Sequence, residues 1–392
     1  MPLKADQLRD WLLYTGRYVN GFEAFTEELT EVLNLYGFAL TRLNLGVYML
    51  HPDIAGVAFQ WHEDEPGVLS IPVEHHALET PAYLESPIYE AVHSRQTIRV
   101  RLCEREPSKY PIVEELFLAG GTDYAVLPLP GGSSRVNVWS VMTTKEGGFS
   151  EQEWHALQNF TLYLSLVVDY FAVQWLAGVL MQVYLGRRTG LRVLDGQVKR
   201  GDGQRIEAAL WYCDMREFTR ISSTLSSEEL IVLLNEYFGH MGDAVRSHHG
   251  EILKFMGDAM LAIFPVDETQ GGIEAACQLC LEAAQEALDK LGAWSALRER
   301  SGATVIRSGI GLHVGEVVYG NIGTPGRLDF TVIGQAVNRV ARVEGMCSQL
   351  GKSLLATREF TMHLNQSFES LGTHSLKGSE HPVEIMSLSG GA

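Results

Sequence analysis

Two aspartates occupy positions at which a carboxylate could do chemistry. Asp214 follows the apolar run "AALWYC", and Asp258 lies at the turn inside "EILKFMGDAMLAIF", between two apolar segments. Such segments predict neighbouring core strands. A single carboxylate at a strand end is usually a turn or cap residue. Two carboxylates at one edge of a sheet predict instead a site for Mg²⁺ or Mn²⁺, which prefer oxygen ligands.

The residues after Asp214 could bind phosphate. "MREFT" predicts a turn into a helix, which places Met215, Phe218 and Thr219 next to the first aspartate. Free backbone N–H groups at a helix start can hold anions. Metal-binding carboxylates beside a phosphate cradle indicate a two-metal phosphoryl-transfer site. The sequence lacks the GxxxxGK[ST], GxSxG and HExxH motifs of other enzyme classes.

The composition excludes two kinds of partner. The chain has 392 residues, enough for two domains and a linker, and its formal net charge is −17. This acidity argues against nonspecific binding to nucleic acid or to an anionic membrane, because both require a basic face.

The five cysteines are sparse and predict no disulfide framework, and Cys277 and Cys280 are interpreted as small apolar residues on one helix face. No secretory signal begins the sequence, so a cytoplasmic location is expected.

Residues 1–149 are predicted to form an α/β domain. Helical periodicity near the start is followed by alternating segments such as "ALTRLNLGVYML", "QTIRVRL" and "TDYAVLPL". This order resembles that of GAF-type sensory domains, which implies that the domain binds an unidentified small-molecule or protein regulator. His51, His62 and the pair His75–His76 match no metal-site spacing and are expected on surface loops.

Residues 150–204 are predicted to form a coupling helix and a linker. Ser150 and Glu153 have capping-box spacing, and the helix that they begin should reach about Tyr184. It is long enough to span a bilayer, but Asp169 and Gln174 near its middle favour a buried dimer interface over membrane insertion. The following glycine-rich and basic stretch is interpreted as a solvated connector.

Residues 205–392 have the β-α-β-β-α-β order of a ferredoxin-like core with additional elements. Ser226 and Glu229 predict a second capping box. "EILKFMGDAMLAIF" predicts two strands with a turn at Gly257, and "IRSGIGLHVGEVVYGNIG" predicts two strands around Gly315. The expected fold class is therefore α/β (α+β), with a ferredoxin-like domain joined by a long helix to the N-terminal α/β domain.

Four motifs of this second domain resemble those of class III nucleotidyl cyclases. They are "CDMREFT", "ILKFMGDAMLAIF", "GLHVGEVVYGNIG" and "DFTVIGQAVNRVARVEG", in the family's order. The resemblance implies that Asp214 and Asp258 bind two Mg²⁺ or Mn²⁺ ions. It also implies that Asn338 orients the ribose and that Arg342 stabilises charge on the α-phosphate in the transition state. These two residues are four apart, so they share one helix face.

The purine-reading pair of the family corresponds to Lys254 and Thr331. A lysine donates to N1 of adenine, and a threonine hydroxyl accepts from its N6 amino group. Guanine reverses both positions, so that a lysine would face a donor and stay unpaired. The pair therefore predicts ATP as the substrate and cyclic AMP and pyrophosphate as the products.

Two positions depart from the family pattern. Glu217 replaces the glycine of the first motif, which would strain the backbone if φ is positive there. Ser379 replaces a lysine that often contacts the triphosphate, which leaves Lys377 and Arg327 as candidates for that role.

The family resemblance also implies a homodimer with two shared active sites. In such a dimer Lys254 and Asp258 serve different sites, which explains why one apolar hairpin carries both charges without forming an internal ion pair. The alternatives to an adenylate cyclase are a guanylate cyclase, which Lys254 disfavours, and a catalytically silent nucleotide-binding module. A diguanylate cyclase should instead show a G-G-[DE]-E-F hairpin, which the sequence lacks.

Overall fold

The computed structural model describes residues 5–102, 108–131, 136–196, 199, 201, 203–377 and 381–389. The chain divides into two compact units, residues 1–180 and 181–392. The division falls inside the segment 150–204 that the sequence predicts to be a coupling helix and linker.

The first unit is a six-stranded antiparallel sheet with helices. Its helices are α1 (Ala5–Tyr14), α2 (Phe22–Leu35), α3 (Pro81–Leu84), α4 (Pro87–Ser94), α5 (Ile112–Leu118) and α6 (Glu151–Leu185), whose last residues belong to the second unit. Its strands are β1 (Leu40–Tyr48), β2 (Ile54–His62), β3 (Val68–Glu74), β4 (Ile98–Arg101), β5 (Asp123–Leu129) and β6 (Asn137–Thr143). The strand order is β3-β2-β1-β6-β5-β4.

The long helix α6 begins as predicted. The Ser150 hydroxyl accepts from the Glu153 backbone N–H, and the Glu153 carboxylate accepts from the Ser150 N–H at 2.7 Å. One face of the first turns is buried with α1, α2 and the central strands, through residues such as Leu157 and Leu164. By length and composition α6 could cross a membrane, and it is the one such helix in the described part of the chain.

The other face of α6 is apolar and exposed. Leu162, Leu166, Tyr170 and Val173 are between 52% and 66% exposed. Their spacing of three and four residues places them along one stripe of the helix. Within a single chain α6 is therefore covered on one side, and the predicted dimer interface would have to cover the other.

The second unit contains an eight-stranded sheet flanked by helices. Its helices are α7 (Arg187–Leu194), α8 (Phe218–Ser222), α9 (Ser227–Ser247), α10 (Gly272–Arg300), α11 (Gln335–Leu350) and α12 (Arg358–Thr361). Its strands are β7 (Gly203–Met215), β8 (Glu251–Met256), β9 (Ala259–Pro265), β10 (Ser308–Thr324), β11 (Arg327–Ile333), β12 (Leu354–Thr357), β13 (Phe368–His374) and β14 (Val383–Leu388).

The sheet of the second unit confirms the ferredoxin-like prediction. Its order is β13-β14-β12-β10-β7-β9-β8, with β11 paired to β10, and β7 is antiparallel to both β9 and β10. Side chains of β7 alternate between two cores, because successive residues of a strand point to opposite faces. Trp211 and Cys213 pack with α9 and α10, whereas Ala208 and Leu210 pack with α11.

Two local predictions are wrong. Residues 308–324 form one continuous strand instead of two strands around Gly315. Gly315 stays extended and pairs with Ala208, and an added Cβ there would lie 3.2 Å from the Cβ of Ala336, so this glycine permits close packing against α11. The predicted solvated connector contains the helix α7, in which Thr189 is fully buried.

Other local predictions are confirmed. Ser226 and Glu229 form a reciprocal capping box at the start of α9. Gly257 makes the turn between β8 and β9 with a φ of 67°. Cys277 and Cys280 are free and buried on one side of α10. Cys103 lies outside the described residues.

Candidate active site

The strand pairing brings Asp214 and Asp258 together. Asp214 lies near the end of β7 and pairs with Ala259, the residue after Asp258. Partial burial and the adjacent Asp214 carboxylate raise the pKa of Asp258 to about 7. The Oδ1 atom of Asp214 is buried and has no hydrogen-bond partner. The two carboxyl groups therefore lie side by side, and one oxygen of Asp214 has no partner.

This pair fits a divalent cation that is shared with a ligand. In the described part of the chain no three or more His, Cys, Asp or Glu side chains converge on one point. Mg²⁺ is commonly held by only one or two protein carboxylates together with phosphate oxygens of the substrate. The buried, unpartnered oxygen of Asp214 is the kind of donor that such an ion would satisfy.

The turn after Asp214 contains the strained residue that the sequence flags. Glu217 has φ 57° and ψ 25°, in the left-handed region, and it is the N-cap of α8. Its carboxylate is exposed and accepts from Nε of Arg220 at 2.6 Å. The conditional prediction of strain at this position is thus confirmed.

The predicted phosphate-binding residues differ in what they can offer. Phe218 and Thr219 form the first turn of α8, where backbone N–H groups have no intrahelical acceptor. The side chain of Met215, in contrast, is 4% exposed and belongs to the core next to α9 and α10. The side-chain burial limits Met215 to a main-chain or packing role.

An ion pair that the sequence analysis missed lies beside the aspartates. Nη1 of Arg216 is 3.5 Å from Oε1 of Glu344, which is buried on α11. Burial raises the pKa of Glu344 to about 7, although Arg216 opposes this shift. The pair covers Gly309, the partner of Asp214 across the sheet, and a Cβ at Gly309 would overlap both side chains. The sequence contained a signal for this residue, since Glu344 is the next-to-last residue of the fourth motif.

Lys254 and Thr331 line a common cleft. Its volume is about 1140 Å³, and Arg327 and Asp329 also line it. The Thr331 side chain is 6% exposed, and its Oγ1 atom is buried without a hydrogen-bond partner. Because a buried polar atom without a partner is costly, Thr331 is well suited to accept or donate a hydrogen bond to a ligand. The structure thus brings together the two residues of the predicted purine-reading pair.

The remaining candidates lie elsewhere on the second unit. Asn338 and Arg342 are exposed on the same side of α11, one turn apart. Lys377 is exposed after β13 and does not line the cleft, whereas Arg327 does. Ser379 lies outside the described residues.

The candidate site is split within one chain. Neither aspartate is among the described residues that line the cleft of Lys254 and Thr331. No ion pair joins Lys254 to Asp258 within the described part of the chain, so the structure agrees with the prediction that the two charges do not neutralise each other.

Comparison with known proteins identifies the domain that carries these residues. Residues 203–389 match the family model described as the Adenylate and Guanylate cyclase catalytic domain. This half of the chain is therefore a class III adenylate/guanylate cyclase catalytic domain. Cyclases of this family generally use divalent metal ions.

The relatives include bacterial adenylate cyclases. Adenylate cyclase 1 of Rhizobium meliloti is 34% identical over 47% of the chain and 28% of its own length. Adenylate cyclase of Anabaena cylindrica is 36% identical over 39% of the chain and 30% of its own length. The chain thus spans less than a third of the length of these two relatives.

A solved structure of a bacterial light-regulated adenylyl cyclase resembles the fold. It has a TM-score of 0.50 and 19% sequence identity, and the match covers 67% of this chain and 86% of that chain. At this identity the likeness concerns the fold alone.

Proposed function

Taking residues 203–389 as a cyclase catalytic domain, we propose that the chain is an adenylate cyclase, which converts ATP into 3′,5′-cyclic AMP and pyrophosphate. The observation that carries the choice of ATP is the cleft shared by Lys254 and Thr331. The lysine ammonium can only donate, which matches N1 of adenine, and the Thr331 hydroxyl can accept from N6. With guanine the ammonium would face the N1–H donor and remain unpaired.

Different residues of the chain would have different roles in this reaction. The ribose 3′-oxygen attacks the α-phosphorus and its proton passes to solvent water. The bond from the α-phosphorus to the oxygen that bridges it to the β-phosphorus breaks, and pyrophosphate leaves with that oxygen. Asp214 and Asp258 would hold two Mg²⁺ or Mn²⁺ ions, which supply charge neutralisation and activation of the attacking hydroxyl. Asn338 would orient the ribose, and Arg342 would stabilise the charge that develops on the α-phosphate.

Other residues would bind the phosphates. The N–H groups of Phe218 and Thr219 point from the first turn of α8, next to Asp214, and suit phosphate oxygens. Arg327 and Lys377 remain candidates for the terminal phosphates, and Arg327 is the one that lies in the purine cleft.

A homodimer with shared sites would complete this arrangement. Within one chain the aspartates do not line the cleft of Lys254 and Thr331, and Asn338 and Arg342 face outward. A twofold partner could place each set opposite the complementary set of the other chain. The exposed apolar stripe of α6 supports the same proposal, since isolated stripes of this size are seldom left in water.

The N-terminal unit is proposed to be a GAF-like regulatory domain that acts through α6. This interpretation is supported by the six-stranded antiparallel sheet and the helix that follows it.

We further propose that the protein is cytoplasmic and that α6 is an interface helix and not a membrane span, because Asp169 lies in its middle and accepts a hydrogen bond from Asn137.

The test is turnover of ATP and GTP by the purified full-length chain with Mg²⁺ or Mn²⁺. Cyclic AMP should form faster than cyclic GMP, and Asp214→Asn should abolish the metal-dependent product while the protein stays folded. Lys254→Glu should shift the preference toward GTP, because a carboxylate accepts from guanine N1–H. Faster GTP turnover by the wild type would overturn the choice of ATP, and no cyclic product from either nucleotide would favour a silent module.

A further inference from the structure

Glu251 lies at the start of β8, where three elements meet. Its carboxylate accepts hydrogen bonds from the backbone N–H of Thr189 on α7 and from the hydroxyl of Tyr319 on β10, both at 3.1 Å. The hydroxyls of Thr189 and Tyr319 are 2.6 Å apart. We call Thr189, Glu251 and Tyr319 the linker cluster.

Thr189 and Tyr319 of the linker cluster are buried, Glu251 is partly buried, and their hydrogen bonds share atoms. Thr189 and Tyr319 are 0% and 1% exposed. The N-cap of α7 is Gly186, which has no side chain, and the Glu251 carboxylate instead accepts from the free N–H of Thr189 in the first turn of this helix. A buried carboxylate that loses a donor is left with an unsatisfied charge, which is far more costly than the loss of an exposed contact.

Helix α7 contacts two neighbouring elements, β10 and the end of α6. The guanidinium carbons of Arg188 and Arg192 lie 5.2 Å and 5.0 Å from the centroid of the Tyr319 ring, within the range of cation–π attraction. On the other side Gly190 packs against the end of α6, where an added Cβ would lie 2.8 Å from the carbonyl carbon of Met181. A displacement of this end of α6 would therefore be transmitted to α7.

The linker cluster is also joined to the purine cleft. Lys254 lies three residues after Glu251 on the same short strand. Thr331 pairs with Gly320, the residue after Tyr319. The Phe330 ring packs edge-on against the Tyr319 ring, with 4.7 Å between the ring centroids. Residues of α7 line the cleft together with Lys254 and Thr331.

We propose that the linker cluster positions Lys254 and Thr331, so that the docking of α7 sets how tightly the domain binds a purine and how well it separates adenine from guanine. Thr189, Glu251 and Tyr319 are positioning residues, which act through β8 and the β10–β11 hairpin. The inference rests on the proposed adenylate cyclase function and adds a point at which the linker controls the substrate site.

The test compares Tyr319→Phe and Thr189→Val with the wild type in the full-length protein. Each variant removes one hydroxyl of the linker cluster and keeps nearly the same shape. We expect KM for ATP to rise about tenfold, with kcat within about twofold, since a hydrogen bond to a buried charge is lost outside the reacting atoms. The ratio of kcat/KM for ATP to that for GTP should fall, and amide exchange of residues 251–256 should become faster.

Two further variants define the effect. Thr224→Val is the control, because in the described structure the exposed Thr224 side chain donates to the local carbonyl of Ile221, and its loss should leave KM unchanged. Gly190→Ala should raise KM in the same direction as Tyr319→Phe, since its Cβ separates α7 from the end of α6. Thermal unfolding of each variant verifies that the fold is intact.

The outcomes separate this inference from the proposed function. If the wild type makes cyclic AMP and both cluster variants keep the wild-type KM and ATP-to-GTP ratio, the inference is wrong and the function stands. A loss confined to kcat would equally overturn a positioning role. If the wild type makes no cyclic product at all, both the function and the inference fall.

Discussion

At Glu217 the chain keeps a glutamate in a backbone conformation that favours glycine. Its φ of 57° places the Cβ close to the neighbouring carbonyl, and its carboxylate forms an exposed ion pair with Arg220 three residues later. The exposed pair contributes little to stability. Strain next to Asp214, a proposed metal ligand, therefore comes from the glutamate that this chain has in place of the glycine of the family motif.

Replacement of Glu217 tests that strain. We expect Glu217→Gly to stabilise the protein by about 1 kcal/mol, because glycine adopts positive φ without a Cβ penalty. Glu217→Ala is the control, since it removes the same carboxylate but keeps the Cβ. Denaturant unfolding of the two variants isolates the backbone effect, and equal stability of the glycine and alanine variants would refute it.

His313, in the third motif, should make stability depend on pH. Its side chain is 3% exposed and hydrogen-bonded to Thr357 at 2.8 Å, and burial lowers its pKa to about 4. The unfolded chain then binds a proton between about pH 6.5 and 4 that the folded chain does not bind. The contribution of His313 is complete above about pH 6.5 and is lost as the pH falls toward 4, by up to about 3 kcal/mol.

The variant His313→Gln removes this titration while keeping a polar side chain next to Thr357. Its unfolding free energy should vary less with pH than that of the wild type between about pH 4 and 6.5. Other groups titrate in both proteins, so the difference between the two profiles reports His313. Parallel profiles would show that His313 is not a buried neutral residue.

At the scale of elements, the sequence of α6 fits either a membrane span or a core helix. The helix could by composition have spanned a membrane, yet one face packs into the core of the first unit. The exposed stripe of Leu162, Leu166, Tyr170 and Val173 is what a second copy of the helix would cover. The same segment therefore serves as a core helix on one side and a proposed interface on the other.

A charge in the stripe should weaken the proposed dimer. Leu166→Arg places a guanidinium where apolar surface would be buried, so the dimer dissociation constant should rise at least about tenfold. Ser301→Arg adds the same charge at an exposed position outside α6, at the end of α10, and serves as the control. Sedimentation equilibrium measures both, and identical association of the two variants would exclude the stripe as the interface.

For the whole molecule, the candidate site is separated into two halves within one chain. A second copy of the chain would be required to bring complementary halves together. Lys254 and Thr331 share a cleft that the aspartates do not line. If each active site takes one half from each chain, two variants that damage different halves should complement each other.

Mixing Lys254→Ala with Asp258→Asn tests this arrangement. Each variant alone should be inactive, and an equal mixture should recover about one quarter of wild-type activity, because half of randomly formed dimers carry one intact site of two. The control is a mixture of Asp214→Asn with Asp258→Asn, which damages the same half twice and should stay inactive. Absence of rescue in the first mixture would count against shared sites.

The sequence alone determined the features that depend on local patterns. The capping boxes of α6 and α9, the turn at Gly257 and the ferredoxin-like order followed from periodicity and from residues with few conformational options, such as glycine and N-cap serines. The family resemblance also paired Lys254 with Thr331, which are distant in the chain and line one cleft in the structure.

Only the tertiary structure showed which distant segments pack against or pair with one another. It showed that Gly315 is a packing position within one strand, that Arg216 and Glu344 pair across Gly309, and that α7 is a docked helix. A glycine, a pair of opposite charges or a short basic stretch has the same local signature in a loop as in a core. Its role depends on which surface faces it, and that is set by strand pairing and packing that no local pattern contains.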